Sequence, residues 1–170
     1  MLSILDPCGI IRVQSWDIHE APPSKAEEML GLLWPKPTGT VARGRVDVLC
    51  VGPTDWLVQV SDPNAVPVLQ ALSDAFTGSS YRATDVSSAL ARLQVEGAHA
   101  RALLAKGCSL DLHPAAFPPD RLARTRLAGM PVVIRCTQPS SFECVVSLSY
   151  REYIISWLTD ATTEFSRPVT

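Results

Sequence analysis

The sequence predicts an α+β fold built from two β-α-β-β-α halves that pack together. Three observations carry this. Short runs rich in β-branched residues alternate with stretches of helical periodicity. The chain also repeats itself, residues 46–76 sliding onto 132–162 at an offset of 86. Lastly, Tyr150, Ile154, Trp157, Leu158 and Ala161 fall on one face of a helix near the C-terminus.

In chain order, 10–16 is the first strand candidate. Pro22-Pro23-Ser24 then breaks the chain and offers an N-cap for a short helix over 25–33. After the turn-rich Trp34-Pro35-Lys36-Pro37-Thr38-Gly39, the runs 46–51 and 56–60 flank Gly52-Pro53-Thr54-Asp55, a hairpin signature. Asp62-Pro63-Asn64 opens a helix with Val68, Leu69, Leu72, Ala75 and Phe76 on one side. Gly78-Ser79-Ser80 ends that unit. Strands follow over 81–86 and 91–95, then a helix over 97–106 closed by Gly107 in the left-handed conformation. A Pro-rich irregular segment, 108–120, precedes strands over 122–127, 132–136 and 142–147.

At the offset of 86 the identical pairs include Val46/Val132, Cys50/Cys136, Pro53/Pro139, Leu72/Leu158, Asp74/Asp160 and Ala75/Ala161. Arg12/Arg92 and Gln14/Gln94 match at 80, so the second half carries a six-residue insertion that lengthens the Pro-rich loop. Matching turn prolines and helix-end Asp-Ala pairs point to a duplication. Neither half can bury both faces of so small a sheet, which predicts one domain over 1–170. Its pseudo-repeats span about 10–78 and 81–162, with a tail over 163–170. A ferredoxin-like arrangement, helices against an antiparallel or mixed sheet, is the economical architecture.

The chain has 170 residues, a net charge of −2 and 46% hydrophobic residues. Its mean hydropathy of +0.13 is slightly high for a lone soluble domain and suits a face buried against partners. The fifteen basic residues are scattered, which argues against nucleic acid as a partner. No apolar run reaches the roughly 18–20 residues that cross a bilayer, and Met1-Leu2-Ser3-Ile4-Leu5-Asp6-Pro7 lacks the basic start of a secretory signal. Neither a membrane nor export is expected. Five cysteines without a Cys-x-x-Cys spacing argue against a disulfide framework or a zinc knuckle and for reduced thiols in the cytoplasm.

Catalytic chemistry finds little purchase. His19 and His99 sit among polar or small neighbours, and no Gly-x-Ser-x-Gly, Gly-x-Gly-x-x-Gly or Walker sequence occurs. His113, in Asp111-Leu112-His113-Pro114, has polar groups close by, and Cys108 lies upstream, but no second cluster completes a metal site. Cys108 as a nucleophile with His113 is disfavoured because a helix C-terminus opposes a thiolate. The reading is therefore no catalytic, cofactor-binding or metal-ligating residue in this chain. Aromatic residues in loops, Trp34, Trp56 and Phe117, serve either as lids over the core or as anchors in a protein interface.

The runs Asp85-Val86-Ser87-Ser88, Val95-Glu96-Gly97-Ala98-His99-Ala100-Arg101, Lys106-Gly107-Cys108, Leu110-Asp111-Leu112-His113-Pro114 and Phe117-Pro118-Pro119 resemble the gamma subunit of heterotetrameric sarcosine oxidase. Gly52-Pro53-Thr54-Asp55-Trp56-Leu57 is similar to that family's hairpin, and the resemblance runs from about Ile10 to Ala161. A more distant likeness is to the folate-binding domain of the glycine-cleavage T-protein, which implies a duplicated, T-protein-like α+β fold. The resemblance further implies a non-catalytic subunit serving assembly and stability, with alpha, beta and delta partners. FAD, FMN, NAD, zinc and tetrahydrofolate are then expected in those partners, in a complex that oxidatively demethylates sarcosine or a related N-methyl amine. Leu148-Ser149-Tyr150-Arg151 and Glu96-Gly97-Ala98-His99 depart from the family's usual residues, which leaves the amine open. Lys106, Asp111, Leu112, His113, Phe117 and Trp34 are the candidate interface residues, with Phe117 expected to be replaceable by Asp without unfolding. The alternative is a free-standing folate-binding or one-carbon transfer protein, using Asp85, Trp56 and Tyr81 to line a pocket.

Overall fold

β-branched alternation and Gly/Pro punctuation resolve into ten strands and four helices in a computed structural model that describes residues 2–166. In order they are β1 (Leu2–Ile4), β2 (Gly9–Ser15), α1 (Ser24–Leu30), β3 (Val41–Arg43), β4 (Asp47–Gly52), β5 (Asp55–Val60) and α2 (Val66–Ala75). Then come β6 (Tyr81–Asp85), β7 (Leu90–Glu96), α3 (Ala100–Ala105), β8 (Leu122–Leu127), β9 (Met130–Gln138), β10 (Ser141–Ser147) and α4 (Arg151–Thr162). Each half is therefore β-β-α-β-β-β-α. The sequence reading omitted β1 and β3, each three residues long and too short to show alternation. Of the tail, Thr163–Ser166 form a 3₁₀ turn and the rest lies outside the described residues. No helix among the described residues is long and apolar enough to cross a membrane.

The strands form two five-stranded antiparallel sheets, ordered β3-β4-β5-β2-β6 and β1-β7-β10-β9-β8. They belong to two compact units, Pro7–Ser88 and the chain from Ala89 onward together with the residues before Pro7. The unit boundary follows strand pairing and departs from the repeat boundary. β6, which opens the second repeat, pairs with β2, and β1, which opens the first, pairs with β7. The leading strands are exchanged between repeats.

Each sheet carries two helices on one face. In the first unit Ala26 and Leu30 of α1 and Leu72 and Ala75 of α2 meet Ile11, Val13, Val48, Trp56 and Val58. In the second, Ala100, Leu103, Leu104, Ile154 and Leu158 meet Leu93, Val95, Ile134, Phe142 and Cys144. Gly31 ends the seven-residue α1 at Leu30 by taking φ 67°, its N–H returning to Glu27. Gly107 is another matter: it does not adopt the left-handed conformation expected for it. It is required by close approach, since a Cβ there would lie 2.5 Å from the Trp157 ring and 3.0 Å from the Ala128 nitrogen.

The duplication is visible in chemistry as well as topology. Cys50 pairs across its hairpin with Trp56, and Cys136 with Phe142, so the offset of 86 holds through both. Each thiol donates to the carbonyl two residues on, Cys50 to Gly52 at 3.3 Å and Cys136 to Gln138 at 3.1 Å. All five cysteines are free thiols. Arg12 meets Asp55 at 2.6 Å and Arg92 meets Glu143 at 2.5 Å, each acid lying two residues from the arginine's direct cross-strand neighbour. Asp55 and Glu143 are thus equivalent at 88, a slip of two residues that keeps the same face of the sheet.

Two predictions follow from burial. The Glu143 side chain is 2% exposed and also faces Arg135 at 3.7 Å, whereas Arg12 in the equivalent pair is 36% exposed. Glu143→Gln should therefore cost about 3–5 kcal/mol in urea unfolding, by leaving buried guanidinium charge, against roughly 1 kcal/mol for Asp55→Asn. Equal costs would contradict this. Burial pushes the Cys144 thiol up to about 12. Burial, then Glu20, pushes the Tyr81 hydroxyl up to about 12. The folded state keeps protons that the unfolded chain gives up from about pH 8.5 and about pH 10, so stability should fall as pH rises through that range toward 12. Urea midpoints at pH 8 and 11 should differ less in a Cys144→Ala/Tyr81→Phe variant than in the natural chain; an identical difference would rule the two groups out.

Candidate functional site

The segment between α3 and β8 is the longest irregular stretch of the chain, and one arginine braces it. Arg101, on α3, donates through Nη1 to the Leu112 and Phe117 carbonyls and through Nε to the Pro139 carbonyl at 3.0 Å. Its Nη2 reaches Cys136 Sγ at 3.7 Å, and the guanidinium lies 4.9 Å from the centre of the Phe142 ring. A planar fork with five donors can tie several backbone segments at once, which an ammonium cannot. Within the loop, Asp111 accepts from the His113 N–H at 2.9 Å, and His113 Nδ1 accepts from the Ala115 N–H at 3.2 Å. The Ala116 and Phe117 N–H groups close a turn on the His113 carbonyl.

These contacts decide what each candidate residue does. Phe117 and Leu112 are core side chains, Phe117 only 2% exposed and stacked 6.5 Å from Phe142. Trp34 is buried in the other unit, edge-on to Trp56 and Phe76. The expectation that Phe117→Asp leaves the fold intact is therefore corrected, because that carboxylate would sit in an apolar interior. Lys106 holds the end of α4, its ammonium donating to the Ala161 carbonyl at 2.9 Å and pairing with Glu164 at 2.6 Å. Asp111 and His113 are exposed but engaged in the loop's own turn. The structure thus brings Asp111, Leu112, His113 and Phe117 together in one braced loop, and places Lys106 and Trp34 elsewhere.

Cys108 and His113 form no dyad. The thiol is buried between Thr125 Oγ1 at 3.6 Å and the Leu110 N–H at 3.4 Å, while His113 Nδ1 is occupied by Ala115. Trp56 and Tyr81 do meet, with ring centres 5.9 Å apart beside a cavity of about 310 Å³ that Asp17, Glu20 and Lys36 also line. Both rings are 1% exposed, however, and Asp85 accepts from the Ser87 N–H and hydroxyl, which lowers its pKa. No group of three or more His, Cys, Asp or Glu side chains placed to hold a metal occurs among the described residues.

Two surface features escaped the sequence reading. Trp16 and Ile18 protrude from the turn after β2, in which Ser15 Oγ accepts from the Asp17 N–H and Asp17 from the His19 N–H. Both residues continue the alternation of β2 beyond its last hydrogen bond, the only signal that marked them. In the second unit a groove of about 610 Å³ runs beside β1, between α3 and α4. Leu2, Ile4, Leu103, Ile155, Thr159 and Phe165 line it, and Ile4 is 58% exposed.

The profile of the sarcosine oxidase, gamma subunit family matches residues 18–164. Among curated relatives, the sarcosine oxidase subunit gamma of Corynebacterium sp. (strain U-96) is 34% identical over 119 residues, 70% of this chain and 57% of that protein. The match thus spans little more than half of that relative's length. The subunit gamma of an Arthrobacter sp. is 33% identical over 141 residues, 82% of this chain and 68% of that protein. In three dimensions the chain is similar to one from heterotetrameric sarcosine oxidase of Corynebacterium sp. U-96 in complex with pyrrole 2-carboxylate, with a TM-score of 0.91 at 27% identity, covering 100% of this chain and 87% of that one. A fold likeness at TM-score 0.63 and 14% identity extends to aminomethyltransferase T of the glycine cleavage system from Bartonella henselae, over 92% of this chain and 44% of that one. The chain belongs to the sarcosine oxidase gamma subunit family.

Proposed function

We propose that this chain is the accessory gamma subunit of a heterotetrameric flavin-dependent oxidase and serves its assembly and stability. The observation that carries the reading is the full-length similarity, at a TM-score of 0.91, to a chain of a heterotetrameric sarcosine oxidase. The physical chemistry of the candidate residues supports it. Asp111, His113 and Arg101 hold a loop in shape, and Cys108 is a buried thiol without a base. Exposed apolar side chains such as Trp16, Ile18 and Leu33 suit docking, and a rigid Trp loses little entropy on binding. In this reading alpha, beta and delta subunits are the partners. They carry FAD, FMN, NAD, zinc and tetrahydrofolate, and the complex oxidatively demethylates sarcosine or a related N-methyl amine in the cytoplasm.

Co-expression of the chain with its neighbouring genes, followed by mass spectrometry of what co-purifies, tests this. The expected result is a large flavoprotein, a second flavin-containing chain and a small zinc protein. A soluble lone monomer that binds folate would support the one-carbon alternative instead. A second experiment separates fold from docking. Phe117→Asp should yield no folded chain by circular dichroism, because a core carboxylate without a partner costs several kcal/mol, about half or more of a domain's stability. A folded variant that merely loses its partners would return Phe117 to the interface.

A further inference from the structure

We infer that the cavity of about 310 Å³ in the first unit is a binding site for a guanidinium group, the planar cation that the second half of the chain supplies from its own sequence at the equivalent place. The inference stands on the duplication of this chain and does not rest on the accessory-subunit reading. Cys50, Pro53 and Trp56 line the cavity. At the offset of 86 their counterparts are Cys136, Pro139 and Phe142. Those three surround the Arg101 guanidinium. Its Nε donates to the Pro139 carbonyl at 3.0 Å, its Nη2 reaches Cys136 Sγ at 3.7 Å, and the group lies 4.9 Å from the centre of the Phe142 ring.

The remaining wall in both halves is the loop that returns to the sheet. The Gly39 N–H donates to the Cys50 carbonyl at 2.8 Å, and the Cys50 N–H to the Thr40 carbonyl at 3.0 Å. Asp120 and Arg121 make the same two bonds with Cys136, at 2.8 Å and 2.9 Å. Gly39 and Asp120 also share a positive φ, 90° and 63°. This pairing aligns Pro37 with Pro118 and Lys36 with Phe117. Phe117 fills its half with a buried ring beside Phe142, whereas Lys36 is exposed. The helices differ in the same sense. Ala26 and Leu30 are buried on α1 as Ala100 and Leu104 are on α3, which puts Glu27 where Arg101 stands. Glu27 turns to its own loop and accepts from the Trp34 N–H at 2.8 Å. The first half therefore keeps the walls of the site but has exchanged both side chains that fill it, and the cavity is the space they leave.

The walls favour a cation. Asp17 and Glu20 line the cavity with two carboxylates against the one ammonium of Lys36. Asp17 Oδ1 and Glu20 Oε2 accept from the His19 and Ser80 N–H groups at 2.8 Å and 2.9 Å, and a carboxylate has a second oxygen to offer. Burial, and after it the charge of Glu20, pushes the Tyr81 hydroxyl up to about 12, which agrees with a negative field on that wall. Trp56 and Tyr81 form an aromatic floor, over which a guanidinium stacks as Arg101 does over Phe142. A planar fork that stacks and donates several bonds at once suits these walls better than an ammonium. Entry is past Ile18, Lys36 and Thr38, all exposed.

Ethylguanidinium, titrated into the isotope-labelled full chain, should shift the Trp56 indole and Thr38 amide resonances saturably, with a Kd of about 1–10 mM, the range open to so small a ligand. Ethylurea has the same shape without the charge and should bind about tenfold more weakly or worse. Glu20→Gln keeps an acceptor for the Ser80 N–H and should weaken ethylguanidinium about fivefold. Lys36→Met removes the one repelling charge and should tighten it about twofold. Lys36→Phe restores to this half the ring that the other half carries, and should abolish the shifts while the melting temperature holds. Shifts that do not saturate, or ethylurea binding as well as ethylguanidinium, overturn the proposal. So does weaker binding by Lys36→Met, which would mark an anion site. If Lys36→Phe or Glu20→Gln fails to fold, the ethylurea comparison and Lys36→Met decide. Once binding is established, co-expression of the Lys36→Phe chain with its neighbouring genes identifies the source. Reduced recovery of the large subunit assigns the guanidinium to an arginine of a partner, and unchanged recovery assigns it to a free guanidino compound.

Discussion

The antiparallel pairing of β6 with β2, and of β1 with β7, is the constraint on which the rest of the structure depends. β2 is an interior strand of its sheet only because a segment from the other repeat lies beyond it, and through it Ser15, Arg12 and Ile11 gain partners at Tyr81, Thr84 and Asp85. That pairing fixes Tyr81 at the end of the aromatic cluster with Trp56 and Phe76, at 5.9 Å and 5.4 Å. It also sets the Tyr81 hydroxyl on the Glu20 carbonyl at 3.0 Å, which anchors the turn bearing Trp16 and Ile18. In the second unit the same exchange places β1 at the edge, and so creates the groove. A duplicated chain whose repeats lend each other a strand is committed to both halves, because neither repeat contains a complete sheet.

Strands and helices with a full period of alternation were legible in the sequence, and those without one were not. The hairpin at Gly52-Pro53-Thr54-Asp55 and the helical face of Ile154, Trp157 and Leu158 are found where turn chemistry and periodicity put them. β1 and β3 are too short to carry a pattern, which is why the first half read as β-α-β-β-α. The exchange of leading strands was invisible for a different reason: pairing partners 66–93 residues apart, from Ser15↔Tyr81 to Leu2↔Val95, leave no local trace. Gly107 shows the limit from another side. Its position after a helix suggests a cap, whereas the requirement comes from Trp157, fifty residues away in the chain. Phe117 and Leu112, read from the sequence as candidate interface residues, are core side chains in the structure. An apolar residue in a Pro-rich loop reads equally as an anchor or a lid, and only the packing on Phe142 decides for the lid.

The chemistry of the chain is spent inward. Arginines that could have met a substrate tie backbone segments, as Arg101 does, or neutralise buried carboxylates, as Arg92 does with Glu143. Glu20 accepts from the Ser80 N–H and Asp111 from the His113 N–H, each holding a loop. What the surface offers is geometric: an apolar groove and protruding side chains on a braced turn. These are means of holding other chains, which agrees with the accessory role proposed for this member of the family.

The most direct test of that role is turnover per bound flavin, measured on the co-expressed oxidase prepared with and without this chain. The account predicts that omission lowers the yield of assembled complex but leaves the turnover of each remaining flavin-loaded complex unchanged. Complexes that assemble and load flavin normally without the chain, yet lose turnover, would show that it contributes to the chemistry itself.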